Sequence, residues 1–181
     1  MEGVTYGGHS DASAGADVVA AVDTDVLGTH VFQGGKLTMV LRVDDAPVPV
    51  TPDLLARYAE EAMSLWPAGM TEQARDAFRQ RVMAGPHGAS LPQVVSVEVD
   101  AIGRVWLNLG RVPGEPRESF AVFTPDGEWV ATIPMPPGLD RGTHGSDGPG
   151  LDIGRDHLVG VWRDEVGVET VRMYRMMGGR R

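Results

Sequence analysis

The stretch AVFTPDGEWVATIPMP, residues 121–136, sets two short apolar runs on either side of Pro125-Asp126-Gly127. Runs rich in Val, Phe, Ile and Trp, bounded by such a cluster, read as an antiparallel hairpin. A companion stretch, HVFQGGKLTMVLRV at 30–43, repeats the order of features. Each has Val-Phe, a turn ending in Gly, one polar residue and then a large apolar residue, Leu37 or Trp129. A hairpin repeated along one chain marks an architecture in which like units bury their faces against each other.

Outward from this hairpin, strand language continues on both sides. PQVVSVEVDAIGRVWLNLG (92–110) alternates Val95, Val97 and Val99 with Ser96 and Glu98, turns at Asp100-Ala101-Ile102-Gly103, and returns through RVWLNL. Residues 94–134 therefore predict four consecutive antiparallel strands. DVVAAVD (17–23), GTHVFQ (28–33) and KLTMVLRV (36–43) predict about three more, with Gln33-Gly34-Gly35 as a tight turn. DHLVGVW (156–162) and VETVRMYRM (168–176) form a last hairpin turning through Arg163 to Gly167, and GLDIG (150–154) adds a short strand before it. Residues 1–16 are Gly-, Ser- and Asp-rich and read as a flexible N-terminus.

One segment breaks the strand pattern. Three prolines in DDAPVPVTPD (44–53) deny donors to any ladder. Thr51-Pro52-Asp53 then has the chemistry of a helix start: a cap, a first-turn proline and an acid at the positive end of the dipole. Leu54, Leu55, Tyr58, Ala62, Leu65 and Trp66 recur near helical spacing, and Pro67-Ala68-Gly69 stops the run. Thr71 starts a second helix with Ala74, Phe78 and Val82 four apart, ended by Gly85-Pro86. The helical insert spans 53–84. The chain is thus predicted to be mainly β: a partial β-propeller of about two and a half blades of four-stranded antiparallel meanders, interrupted by helices, over residues 17–177. A β-sandwich is the alternative.

VDAIGRVWL, FAVFTPDGEWVATIPMP and RDHLVGVWRDEVGVETVRMYRM together resemble the C-terminal part of bacterial six-bladed β-propeller proteins of the NHL-like kind. The resemblance covers about residues 28–177. It rests on Asp100, Gly103 and Trp106, on Val122 to Gly127 with Trp129, and on Gly160 to Glu165 with Val168, Glu169, Val171 and Tyr174. It implies packing and turn motifs, an extracytoplasmic setting in the relatives, and binding or scaffold roles. A six-bladed ring needs more chain than 181 residues supply, which makes a fragment of a longer protein the expectation. The loop GLDRGTHGSDGPGLDIG (138–154) is longer than the blade connection the resemblance implies.

Composition bounds the partners. Net charge is -9, and the sixteen Lys and Arg, of which only Lys36 is Lys, are scattered. That balance argues against nucleic acid and anionic lipid. With no Cys there is no disulfide, thiolate catalyst or Cys-type zinc site. No apolar run is long enough to span a membrane, and the start has no basic n-region followed by an apolar core.

No catalytic residue, metal ligand or cofactor is predicted. Asp100 and Asp126 precede Gly in turns, where Asp caps its own backbone. His9, His30, His87, His144 and His157 show no helical zinc spacing. Asp164 and Glu165 read as a hairpin turn. Trp66, Trp106, Trp129 and Trp162 read mainly as core. The loop LDRGTHGSDGPGLD, with Asp140, His144, Ser146, Asp147 and Asp152, reads as a surface loop and is the first place to look for a site. The functional expectation is a non-enzymatic binding or scaffold module whose ligand, protein or small molecule, is unknown. The alternatives are a metal-dependent propeller hydrolase of lactonase or esterase type, and an interaction protein that self-associates through open blade edges to complete a ring.

Overall fold

The computed structural model describes residues 8–24, 28–44, 46–64, 66, 69–115, 118–136, 139–140, 151–164 and 168–177. The protein is mainly β, in three antiparallel sheets. Sheet 1 runs in the order β1 (Ser10–Gly15), β2 (Val18–Asp23), β3 (Thr29–Gln33), β4 (Lys36–Leu41). The helices α1 (Pro52–Ser64) and α2 (Glu72–Ala84) follow. Sheet 2 is a second meander of β5 (Ser96–Val99), β6 (Val105–Asn108), β7 (Ser119–Phe123) and β8 (Trp129–Pro134). Sheet 3 contains β9 (Leu139–Asp140), β10 (Asp152–Ile153), β11 (His157–Arg163) and β12 (Glu169–Arg175). Residues 96–134 stay in one sheet, rather than dividing between two opposed layers as a sandwich requires.

The repeated phrase is a repeated geometry. In β3–β4, Val31 pairs with Met39 and Phe32 with Leu37, which leaves Thr38 as a bulge. In β7–β8, Val122 pairs with Ala131 and Phe123 with Trp129, which leaves Val130 in the same place. A bulge adds one residue to one strand and sharpens its twist. The turns differ in length. Gly34 and Gly35 carry the first at positive φ, and Gly127 closes the second.

Strand alternation then decides what packs on what. Val18, Ala20 and Val22 of β2, with Val31 and Leu41, meet Val97, Val105, Leu107 and Ala121 of sheet 2 in one buried cluster. On the opposite face of sheet 2, Trp106, Phe120 and Val122 meet Ile153, Leu158 and Trp162 of sheet 3. Sheet 2 is apolar on both faces because both are covered, so all four residues of β6 are buried. Each fully buried Val or Leu contributes about 1.5–3 kcal/mol relative to exposure.

Two expectations need correction. Residues 10–15 are a strand, in register with β2 from Ser10↔Asp23 to Gly15↔Val18, so sheet 1 has four strands and the chain three sheets. Trp129 is 63% exposed, so it is not core; it lies on the last strand of its sheet, as does Leu37, which is also exposed.

The helical insert stands where the sequence puts it. Thr51 Oγ1 accepts from the Leu54 amide at 3.3 Å, and Thr71 Oγ1 from the Ala74 amide at 3.2 Å. Leu55, Ala59 and Met63 of α1 pack on Val82 of α2, with Trp66 edge-on to Phe78 at 4.9 Å. Val50 and Leu91 donate to Ala89 and Val48, at 3.0 and 2.8 Å, and so close the neck of the insert. Glu61 ties it to sheet 2 through Arg111 and the Gly114 amide.

Candidate functional site

One row of polar side chains runs along the first strand. Around β1 the polar residues fall at every second position, His9, Asp11 and Ser13, and so share one face. That face lies along β5. The His9 ring nitrogen Nε2 donates to the Val95 carbonyl at 2.7 Å. Asp11 Oδ2 accepts from the Val97 amide at 3.0 Å. Ser13 Oγ accepts from the Val99 amide at 3.0 Å and donates to Glu98 at 3.2 Å. The side chains of one strand thus stand in for the backbone of a missing neighbour, and the free edge of β5 is satisfied. Gly15 completes the row: a Cβ there would lie 2.5 Å from the Asp100 carbonyl oxygen.

A second polar knot joins sheets 2 and 3. Asp100 is buried at the β5–β6 turn. Its Oδ1 accepts from the amides of Ile102 (3.0 Å) and Arg104 (2.9 Å), and its Oδ2 from the Trp106 indole (2.9 Å) and from the Arg104 guanidinium. Arg104 in turn donates to the Arg155 carbonyl at 2.8 Å. The carboxylate therefore fixes a turn and, through Arg104, the next sheet. The expected turn role of Asp100 is what the structure gives it. At the β7–β8 turn the capping falls instead to Thr124, whose Oγ1 accepts from the Glu128 amide at 3.0 Å, while Asp126 is exposed. Asp164 caps its own hairpin, accepting from the Val168 amide at 2.8 Å.

An open concavity of about 360 Å³ lies on the outward face of sheet 1, lined by Ser10, Ala12, Ala21, Asp23 and His30 among others. These five belong to adjacent rows of the β1–β2–β3 ladder. Of the other histidines, His87 contacts the Gly88 carbonyl at 3.0 Å and His157 the Asp156 carboxylate at 3.2 Å. Residues 141–150 of the loop singled out from sequence, with His144, Ser146 and Asp147, lie outside the described residues. Its stems are placed: Asp140 pairs with Val161 and Asp152 with Val159, so the loop leaves and rejoins one edge of β11 opposite Gly160. Among the described residues no group of three or more His, Asp and Glu is placed to hold a metal ion, and no helix is long and apolar enough to cross a membrane.

No family model matches the chain, and no curated protein or solved structure matches it. The β1 polar row is what sequence reasoning missed. Its signal was present as His9-x-Asp11-x-Ser13-x-Gly15, a period of two written in polar and small residues rather than apolar ones.

Proposed function

We propose that the chain is a segment of an NHL-like β-propeller acting as a non-enzymatic binding or scaffold module. The observation that carries this reading is the succession of meander sheets packed face to face, with the hairpin geometry of sheet 1 repeated, bulge included, in sheet 2. Repetition of this sort builds a rigid body and presents turns at its rims, where binding residues are displayed. The polar side chains support the same reading: His9, Asp11 and Ser13 beside and on β1, and Asp100 at the β5–β6 turn, hold strands and turns together.

Two measurements test it. Methyl NOEs on the purified chain are expected to link Val31 to Leu107 and Val122 to Leu158, as separate networks. A direct Val31–Leu158 contact would remove the stack. Assays with lactones and aryl esters, with calcium present and after chelation, are expected to show no turnover and an unchanged Tm. Turnover that calcium restores would replace the module with a hydrolase.

A further inference from the structure

β9 and β10 share one neighbour. Both run antiparallel to β11, along the edge opposite β12. Leu139 and Asp140 pair with Trp162 and Val161. Asp152 and Ile153 pair with Val159 and Leu158. Between the two pairs β11 has one residue, Gly160. Continuing the β10 register by one step sets Leu151 opposite it. The side chains agree: Leu151 is half-buried and packs with Ile153 on the Trp106 cluster, while Asp152 between them is exposed. The period of two therefore runs on through Leu151. Asp140 and Leu151 thus take neighbouring places on β11, although ten residues, 141–150, stand between them in the chain.

Sheet 2 shows the same strand without a break. The Gly154 amide donates to the His157 carbonyl as the Asp100 amide does to the Arg104 carbonyl, which aligns the two turns. Ile153 and Leu158 then match Val99 and Val105, the pair at which β5 ends and β6 begins. Two residues earlier, Leu151 matches Val97, and Leu139 falls at the place of Val95. Residues 95–99 fill these places consecutively in sheet 2. The sequence points the same way. Gly-Leu-Asp stands at 138–140 and again at 150–152, and joining Asp140 to Leu151 spells Leu-Asp-Leu-Asp-Ile, an unbroken alternation. We infer that β9, Leu151 and β10 are one edge strand of sheet 3, and that residues 141–150 are an insert that the fold does without. The ladder to β11 is complete with the five residues alone, so the insert adds only the entropy cost of closing a loop. This inference stands on the ladders and is independent of the propeller reading.

Deletion length tests this. Without 141–150 the chain is expected to fold, with a Tm equal to or above that of the full chain. The blue-shifted emission of the buried Trp106 and Trp162 is expected to be retained. Deleting 141–149 leaves one residue too many between the two halves, and deleting 141–151 leaves one too few. Each breaks the alternation, so each is expected to melt about 3 °C or more below the ten-residue deletion. Replacing 141–150 by ten Gly and Ser residues is expected to leave the Tm of the full chain unchanged. The inference is overturned if the ten-residue deletion unfolds or melts below the full chain, or if the three deletions melt alike. A Gly/Ser chain that unfolds overturns it too, because the native ten residues would then be holding the sheet.

Discussion

The indole N–H of Trp106 donates to Oδ2 of Asp100 at 2.9 Å, and both residues are almost wholly buried. The same carboxylate takes two backbone amides and the Arg104 guanidinium, so four donors converge on one side chain. Removing it strands all four. Asp100→Ala is expected to cost about 3–5 kcal/mol, the range for breaking a buried charged pair. Asp100→Asn is expected to recover little, because its NH₂ group must face donors on one side or the other. Trp106→Phe keeps the Arg104 contact and is expected to cost about 1–3 kcal/mol. Urea unfolding of the three variants checks the order; an Asn variant near wild type would show that the network is not what holds the turn.

Gly15 and Gly35 are expected to resist substitution for different reasons. A Cβ at Gly15 would meet the Asp100 and Val99 carbonyl oxygens at 2.5 and 2.7 Å, both backbone atoms that cannot swing away. Gly15→Ala must push β1 off β5, at about 1–3 kcal/mol. It also lengthens the Ser13 and Asp11 bonds that satisfy the β5 edge. Gly35 has open space around it but sits at φ +75. Gly35→Ala should therefore cost only the strain of a left-handed residue, about 1–2 kcal/mol. Hydrogen exchange separates the two: Gly15→Ala should expose the Val97 and Val99 amides, and Gly35→Ala should leave them protected.

Much of this was legible. Apolar alternation marks a strand with one covered face, and Val95, Val97 and Val99 announce theirs that way, while Phe120 to Phe123 and Leu158 to Trp162 read as short continuous apolar runs bounded by turns. Thr51 and Thr71 announce helices by capping chemistry. β1 did not, because its partner across the joint is a strand edge. Polar side chains were selected there, so the periodicity carries no hydrophobic signal. Trp129 misled for the converse reason: an aromatic in a strand signals burial only when the strand is interior, and strand position within a sheet is a tertiary fact. The junctions set by Asp100 and Arg104 were half legible. The turn reads from Asp100 and Gly103, but the reach of Arg104 to Arg155 spans fifty-one residues and leaves no local trace.

Arg79 joins the two helices of the insert by bonding Glu60 on α1 at 2.7 Å, with Glu72 and Asp76 of its own helix at 3.2 and 2.8 Å. The Arg79 hydrogen bond holds the Glu60 carboxyl below its usual range. A group whose folded pKa is lowered adds stability above its unfolded value and loses it as pH falls through the folded one. Arg79→Met is expected to lower Tm slightly at neutral pH and low salt. The difference should vanish on acidification below the carboxylate range and in high salt, because exposed pairs are screened. A deficit that persists in acid and in salt would mean that the side chain acts by packing instead.

Trp129 offers the cleanest separation of sequence signal from structural role. It occupies the register of Leu37, one residue before the bulge of an outermost strand, and is 63% exposed. Trp129→Thr keeps β propensity and removes only surface contact, so the stability change is expected within about 0.5 kcal/mol. Trp106 and Trp162 are buried in the joint between sheets 2 and 3, and their emission should stay blue-shifted in the variant. Loss of the long-wavelength component without loss of stability is the expected outcome. A drop above about 2 kcal/mol, the scale of a buried large apolar side chain, would instead place Trp129 inside an interface. In that case the outer strand β8 would be a contact surface.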